Sequence, residues 1–515
     1  MHDILIKNGT IVDGTGKERF EADIAINDTI ITEIGDMSGD SAREVIDANG
    51  QIVAPGFIDI SNRSDTRWRL FKDTALESML HQGITTIIGG NSGSSLAPMY
   101  SNDMLKSMRK WVDMNGINVN WQTMNDFLST VQEHKISVNF GTFVGYGTLR
   151  RGLVGDEDRD LNENEKTSVM KHIEESLEQG ALGVSTGMIY SHERNIKTDE
   201  LMNIAKIVAK KNKLYVAHLR NEGTKLMESV DEILQIQKET GAHIHISHLK
   251  ATQKEHWSDM QKVIDKIEKT NVTFDIYPYT FSTTVLYTLL PSWISDGGRR
   301  MLLERLRNKD LRGRLVEEMD NGVDLSRATV AHTMRSDYFC AKTFAQIARA
   351  QDTSVSNAVI DVLLASEGQV NVFLESVSKE NIARGLKSKN AVVSSNGIGY
   401  TIQKRNECME HPRSFGAFAR IFDKYVRQEK ILTLEEAVHK STGKVAVELS
   451  LENRGVLKEK NIADIVVFNE DEFKDKSTLD QPYRYASGVK SLIVNGQVAL
   501  KYGKYTGLRS GQIVK

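Results

Sequence analysis

The sequence predicts an α/β protein: a (β/α)8 TIM barrel with a small β-sandwich domain built from both termini and an inserted subdomain. Three observations predict it. Both ends of the chain are strand-rich, the middle alternates apolar runs with charged helical stretches, and about eight such units fill roughly 390 residues, as a barrel with an insertion requires.

The N-terminal stretch DILIKNGTIVDGTG alternates apolar and polar positions and turns through Gly14 and Gly16, and ADIAINDTIITEIGD repeats the pattern around Asn27-Asp28. At the far end, NIADIVVFNEDEF and KSLIVNGQVALKYGKYTG read as strands, with Asn495-Gly496 as a hairpin turn. Residues 1–53 and 451–515 are therefore assigned to one sandwich, and 54–450 to the barrel. Within it, GITTIIGGNSG, VNFGTFVGYG, ALGVSTGMIY, KLYVAHLRNE, HIHISHLKAT, VTFDIYPYTF and AVVSSNGIGY are apolar runs ending in small or polar residues. Charged stretches such as NENEKTSVMKHIEESLEQG lie between them as crossover helices. The charge-rich helical stretch 286–331 is read as the insertion.

Composition narrows the function. Lys+Arg 66 against Asp+Glu 69 leaves a net charge of -3, which speaks against a basic nucleic-acid binder. No apolar run approaches the ~18 residues of a membrane span. The N-terminus lacks the basic head and apolar core of a signal peptide, so the cytoplasm is the expected compartment. Cys340 and Cys408 form no CxxC pair and make no disulfide scaffold.

In a (β/α)8 barrel the chemistry sits at the C-terminal strand ends. YVAHLRNE offers His218, IHISHLKA offers His248 and Lys250, and FDIYPYTF offers Asp275, Tyr277 and Tyr279. His218 and His248 are 248 − 218 = 30 residues apart, one βα repeat, so both can point into one cavity. Converging imidazoles begin a metal site; equally, each can be a hydrogen-bonded core histidine. His243 and His245 alternate with Ile244 and Ile246 and read as packing or surface residues.

The ordered motifs VAPGFID, GITTIIGGNSGSSLAP, VGYGTLR, GALGVSTGMIY, HLRNE, ISHLK, YPY, HPRSFGAF, LTLEEAVHKSTGKVA, RGVLKEKNIADIVVF and TGLRSGQI run through nearly the whole chain. In them the sequence resembles the N-acyl-D-amino-acid deacylases (D-aminoacylases) of the amidohydrolase superfamily. The resemblance implies zinc-dependent hydrolysis of an amide C–N bond, with metals and a catalytic aspartate activating water. It also implies a cationic, tyrosine-lined grip on the substrate carboxylate.

Against that pattern the metal half is altered. Ser61 and Arg63 stand where the family has an HxH pair, Ser92 where it has a metal-binding cysteine, Tyr146 where it has the histidine of VGHG, and Asn396 where it has the catalytic aspartate. Of the usual ligands only His218 and His248 remain. The resemblance carries the carboxylate grip onto Lys250, Tyr279 and Arg413, with Thr283 and Thr284 near a hydroxyl contact; alternatively Lys250 and Arg413 make structural ion pairs. The replacements agree in charge. Asn396 removes a buried anion that losing the metals would leave unpaired, and Arg63 brings a permanent cation. Serine is a poor zinc ligand beside a thiolate.

The expected cofactor is therefore none or a single weakly bound Zn²⁺, and the expected partner a small molecule with a carboxylate, with neither nucleic acid nor membrane. Two readings stand: an amidohydrolase-type hydrolase with an altered site, in which two-metal deacylation is not expected, or a catalytically inactive pseudoenzyme that binds such a ligand or acts as a scaffold. Asp59, Asp65 or Glu222 are carboxylates that a hydrolase could recruit.

Overall fold

In the computed structural model the described residues are 1–101, 104, 116–155, 157, 159–322, 324–333, 337–402 and 409–515. Cys408 lies outside them. Eight parallel strands form the barrel: Phe57–Asp59, Ile84–Gly89, Asn139–Thr142 continued by Val144–Gly145, Gly183–Gly187, Leu214–His218, His243–Ile246, Thr273–Ile276 and Ala391–Val393. Neighbours pair in chain order, and the last strand pairs with Thr273–Ile276. A parallel bridge from Asn62 to Gly397 joins the last strand's exit to the first strand's. The Ser395 amide also donates to Asp59 Oδ1 at 2.8 Å.

Side-chain parity explains what points into the barrel. Leu214 and Val216 join Ile58, Ile88, Leu182 and Val392 in an inner cluster, whereas Tyr215 and Ala217 pack outward among the helices. His218, two residues beyond Val216, therefore ends its strand facing inward. The crossover helices start where their caps dictate: Asn162 and Glu165 form a capping box on Glu163–Glu178, and Thr433 and Glu436 do so on Leu434–Ser441. Among the described residues no helix is long and apolar enough to cross a membrane.

Both termini build one nine-stranded sheet, in which Ile52–Pro55 pairs antiparallel with Ile465–Phe468. Asn495 and Gly496 both take positive φ, 49° and 73°, as a two-residue hairpin with a primed turn requires. A buried polar knot ties this domain to the barrel. Asn139 donates to Asp464 Oδ2 at 2.9 Å, Asn495 donates to Asn139 Oδ1 at 2.6 Å, and Arg454 pairs with Asp464.

The inserted unit is larger than the expected 286–331. It spans about 281–375. Strands Phe281–Val285, Thr329–Thr333 and Val370–Glu375 form an antiparallel sheet, and Leu302, Leu306, Phe344, Val359 and Val372 belong to a separate core. The reason is non-local pairing: Val370–Glu375 lies between its two partners, and nothing in its own sequence distinguishes it from a barrel strand. The unit stands over the C-terminal mouth and encloses with it a cavity of about 2430 Å³.

Candidate active site

The cavity floor is made from the exits of several barrel strands. His218 and His248 stand with ring centroids 4.3 Å apart, edge to face. His248 has the wrong parity to face inward by pleat alone, since Ile244 and Ile246 pack outward. A left-handed backbone at His248, φ 37°, re-aims it, and its amide is held by Asp275 Oδ1 at 2.7 Å. His245 is fully buried, not on the surface, and contacts Asp275 Oδ1 at 3.1 Å and Thr273 at 2.9 Å. His243 pairs with Glu448 at 2.9 Å.

A chain of polar contacts crosses this floor. Arg63 donates from Nη2 to Ser92 Oγ at 2.8 Å, from Nε to Asn396 Oδ1 at 3.0 Å and from Nη1 to the Asn91 carbonyl at 3.3 Å. With the guanidinium donating to it, the Ser92 hydroxyl is free to donate onward to His218 Nδ1, 3.0 Å away. His218 Nε2 then faces Glu222 Oε1 at 3.4 Å, too poorly aligned for a hydrogen bond. Glu222 was named in the sequence only as a carboxylate that might be recruited. It sits at the centre, because its Oε1 is also 3.3 Å from His248 Nδ1 and accepts from Lys250 Nζ.

Lys250 is fully engaged here. Its ammonium has three donors, and they meet Glu222 Oε1, His248 Nδ1 at 3.0 Å and the His248 carbonyl at 3.3 Å. Burial alone would raise the Glu222 carboxyl, but the Lys250 ammonium, followed by His218 and His248, holds it well below its usual range. Burial, reinforced by Lys250, pushes His248 down to about 3, so the ring is neutral at pH 7.

The other predicted positions fall as follows. Ser61 is buried behind the floor, and its hydroxyl has no hydrogen-bond partner among the described residues. Tyr146 is fully buried and donates to Glu200 on the helix Thr198–Lys210 rather than facing the cavity. Tyr279 donates to Asp475 Oδ2 at 2.8 Å and points away from the mouth; Tyr277 lines the cavity instead. The YPY motif offers two tyrosines, and only the pleat decides between them. Arg413 begins the helix Arg413–Arg420 and holds its guanidinium 5.0 Å over the Tyr277 ring. Thr283 and Thr284 line the wall formed by the inserted unit. Asp59 and Asp65 are buried beneath the floor and do not line the cavity.

Two metal ions do not fit this donor set. The Arg63 guanidinium is bonded to two of the positions where ligand and base are expected, and a permanent cation there repels a dication. His218, Glu222 and His248 can offer three ligand atoms to one ion, all within 4.8 Å of one another. The Lys250 ammonium already sits on that carboxylate oxygen and on His248 Nδ1, so an ion could take those donors only by displacing it.

Fold and floor together define an amidohydrolase-type (β/α)8 barrel with an appended β-sandwich. Over its full length the chain is similar to proteins named D-aminoacylase and N-acyl-D-glutamate deacylase. It is 28% identical over 500 residues to an N-acyl-D-glutamate deacylase of Alcaligenes xylosoxydans xylosoxydans, covering 96% of this chain and 93% of the relative. It is 26% identical over 524 residues to a D-aminoacylase of the same organism, covering 99% and 97%. The solved N-acyl-D-glutamate deacylase of Bordetella bronchiseptica, complexed with zinc and a phosphonate inhibitor, superposes with a TM-score of 0.85 at 26% identity, covering 100% of this chain and 99% of that one. No protein-family model matches the sequence.

Proposed function

We propose that this protein binds a small carboxylate-bearing molecule of the acyl-amino-acid class in its barrel mouth, and that two-metal deacylation is not its reaction. The observation that carries this is the chain from Arg63 through Ser92 and His218 to Glu222 and Lys250, which sets protein cations against the groups that could ligate a metal. At the position where the resemblance sets the family's catalytic aspartate, Asn396 accepts from Arg63 and cannot take a proton from water. Zinc lowers the pKa of a bound water from about 15.7 to about 7. Without that, a water in this mouth meets Glu222, a carboxylate already held by Lys250, and stays a poor nucleophile.

Arg413 supports the binding half of the proposal. Its guanidinium faces the cavity beside Tyr277 and has no carboxylate partner among the described residues. Lys250, with all three donors taken, holds Glu222 and His248 in place and is not the grip.

A second reading has one observation in its favour. His218, Glu222 and His248 lie close enough to share one ion, and a zinc there would supply Lewis-acid polarisation of a water. Calorimetry with N-acetyl-D-amino acids and zinc-supplemented hydrolysis assays separate the readings. We expect binding without hydrolysis, and we expect Arg413→Ala to weaken binding by ~1.5–3 kcal/mol, the range for a hydrogen bond to a charged group. Robust zinc-stimulated hydrolysis by the wild type would overturn the proposal.

A further inference from the structure

The arginines held inside this chain mostly meet carboxylates. Arg220 pairs with Glu232 at 2.9 Å, Arg312 with Asp361 at 2.9 Å, Arg194 with Asp296 at 3.2 Å, and Arg454 with Asp464. Arg63 and Arg413 do not, and both line the same cavity floor. Arg63 gives one hydrogen bond from each of its three nitrogens, all to neutral acceptors, which leaves two of its five donors unused. Asp65 is an acid near enough to act on it electrostatically, but Asp65 lies outside the cavity lining and accepts from the Gly90 amide at 2.6 Å. Near Arg413, Glu410 is committed to the Tyr400 hydroxyl, the His411 amide and the Ser414 hydroxyl.

The two guanidinia are carried by backbones that flank one glycine. The Arg63 amide donates to the Gly397 carbonyl at 2.8 Å, and a Cβ on Gly397 would lie 3.1 Å from the Arg413 carbonyl oxygen. Two side chains leaving such close backbones for one cavity can meet opposite ends of a single small molecule. At the Arg63 end, Ser92 and Asn396 are neutral, so no protein anion competes for its remaining donors.

We propose that the floor is built for a small diacid, with one carboxylate on Arg413 and a second acidic group on Arg63. This rests on the carboxylate-binding reading above and deepens it. The second acid stands where an amidohydrolase would hold the amide to be cut, so the ligand presents an anion there in place of a scissile bond. A guanidinium whose acceptors are all neutral gains more from a carboxylate than from an amide oxygen, since charge-assisted hydrogen bonds are roughly twice as strong as neutral ones.

The test is calorimetric titration of the full-length protein with succinate, glutarate and adipate, each against its half-amide, which keeps one carboxylate and neutralises the other. At least one diacid is expected to bind about tenfold or more tightly than its half-amide, a difference within the range of one charge-assisted pair. Arg63→Gln should reduce that gap to within about twofold, because the remaining amide cannot form such a pair. Asn396→Asp should do the same with the arginine still present, since it supplies an internal carboxylate beside Arg63 Nε; an unfolding midpoint near that of the wild type shows that either variant is folded. Equal affinities for every diacid and its half-amide overturn the inference, as does a gap that survives in both folded variants. If half-amide binding itself does not respond to Arg413→Gln, the carboxylate reading of the preceding subsection fails. If it responds and no gap is seen, only the diacid inference fails.

Discussion

Arg63 donates to Ser92 across 2.8 Å, a bond between two residues that the family resemblance sets at metal-ligand positions. Neither substitution makes sense alone. A serine in place of a thiolate leaves a weak ligand, and an arginine in a ligand set leaves a buried cation. Together they form a hydrogen-bonded pair that passes one hydroxyl proton toward His218.

The first prediction follows from that pair. Protein purified without chelator should hold fewer than two zinc equivalents per chain, because the Arg63 cation and a dication at the same place repel each other by several kcal/mol even at an effective dielectric of about 20. Elemental analysis that returned two tightly held equivalents would contradict the site described above.

Restoring the lost acid should not restore hydrolysis. In Asn396→Asp the new carboxylate would sit within hydrogen-bond reach of Arg63 Nε, where the asparagine oxygen is now 3.0 Å away. It would be tied into an ion pair rather than left to take a proton from water. N-acetyl-D-amino acid turnover, assayed with added zinc, should therefore be no higher in this variant than in the wild type.

The barrel was legible in the sequence because each unit carries its signal locally: an apolar run, a polar strand end and a charged helix. His218 was set at a strand end by the apolar run before it, and the inward direction comes from the pleat, with Val216 in the inner cluster. The inserted unit was underestimated because Val370–Glu375 finds its partners far away in sequence at Thr329–Thr333 and Phe281–Val285. The role of Glu222 was only half visible. It lies four residues beyond His218, but its meeting with Lys250 and His248 depends on the neighbouring strand. For His245, alternation left packing and surface both open, because it shows that two faces exist without showing which is inside; the residue is buried.

The two tyrosines of YPY give a test of placement. Tyr279→Phe takes a donor from buried Asp475, which keeps only Arg420 at 3.3 Å and the Ser477 amide at 2.9 Å. It should destabilise the fold by ~1–3 kcal/mol, the cost of an under-satisfied buried acceptor, and leave carboxylate binding unchanged. Tyr277→Phe should do the reverse, weakening binding by ~0.5–1.5 kcal/mol with little effect on stability, because it takes a hydroxyl from the cavity wall beside the Arg413 guanidinium, which lies 5.0 Å over the ring. Denaturant melts and titrations on both variants separate these outcomes, and a Tyr279→Phe protein with normal stability and lost binding would reverse the assignment.

The last prediction concerns pH. Glu193 is fully buried, with Oε2 accepting from the Gly187 amide at 2.7 Å and Oε1 facing His192 Nε2 at 3.3 Å. Its carboxyl is packed so closely that a Cβ on Gly93 would stand 2.0 Å from Oε1. Burial pushes it up to about 7, against the pull of the Gly187 amide and Arg151, and burial likewise raises Asp59 and Asp65 to about 6. A carboxyl with a raised folded pKa binds its proton more tightly folded than unfolded. Its contribution is complete below the unfolded value near 4.5 and is lost as pH rises through the folded value. The Glu193 contribution should therefore fall between about pH 5 and pH 8, by at most roughly 3 kcal/mol, while His248 and His81, whose burial lowers them to about 3 and about 4, add stability as pH rises through the unfolded histidine value and oppose it. Glu193→Gln keeps an acceptor for the Gly187 amide and cannot ionise, so its unfolding midpoint should gain on that of the wild type as pH rises over that range. A variant whose pH profile ran parallel to that of the wild type would show that Glu193 does not titrate there.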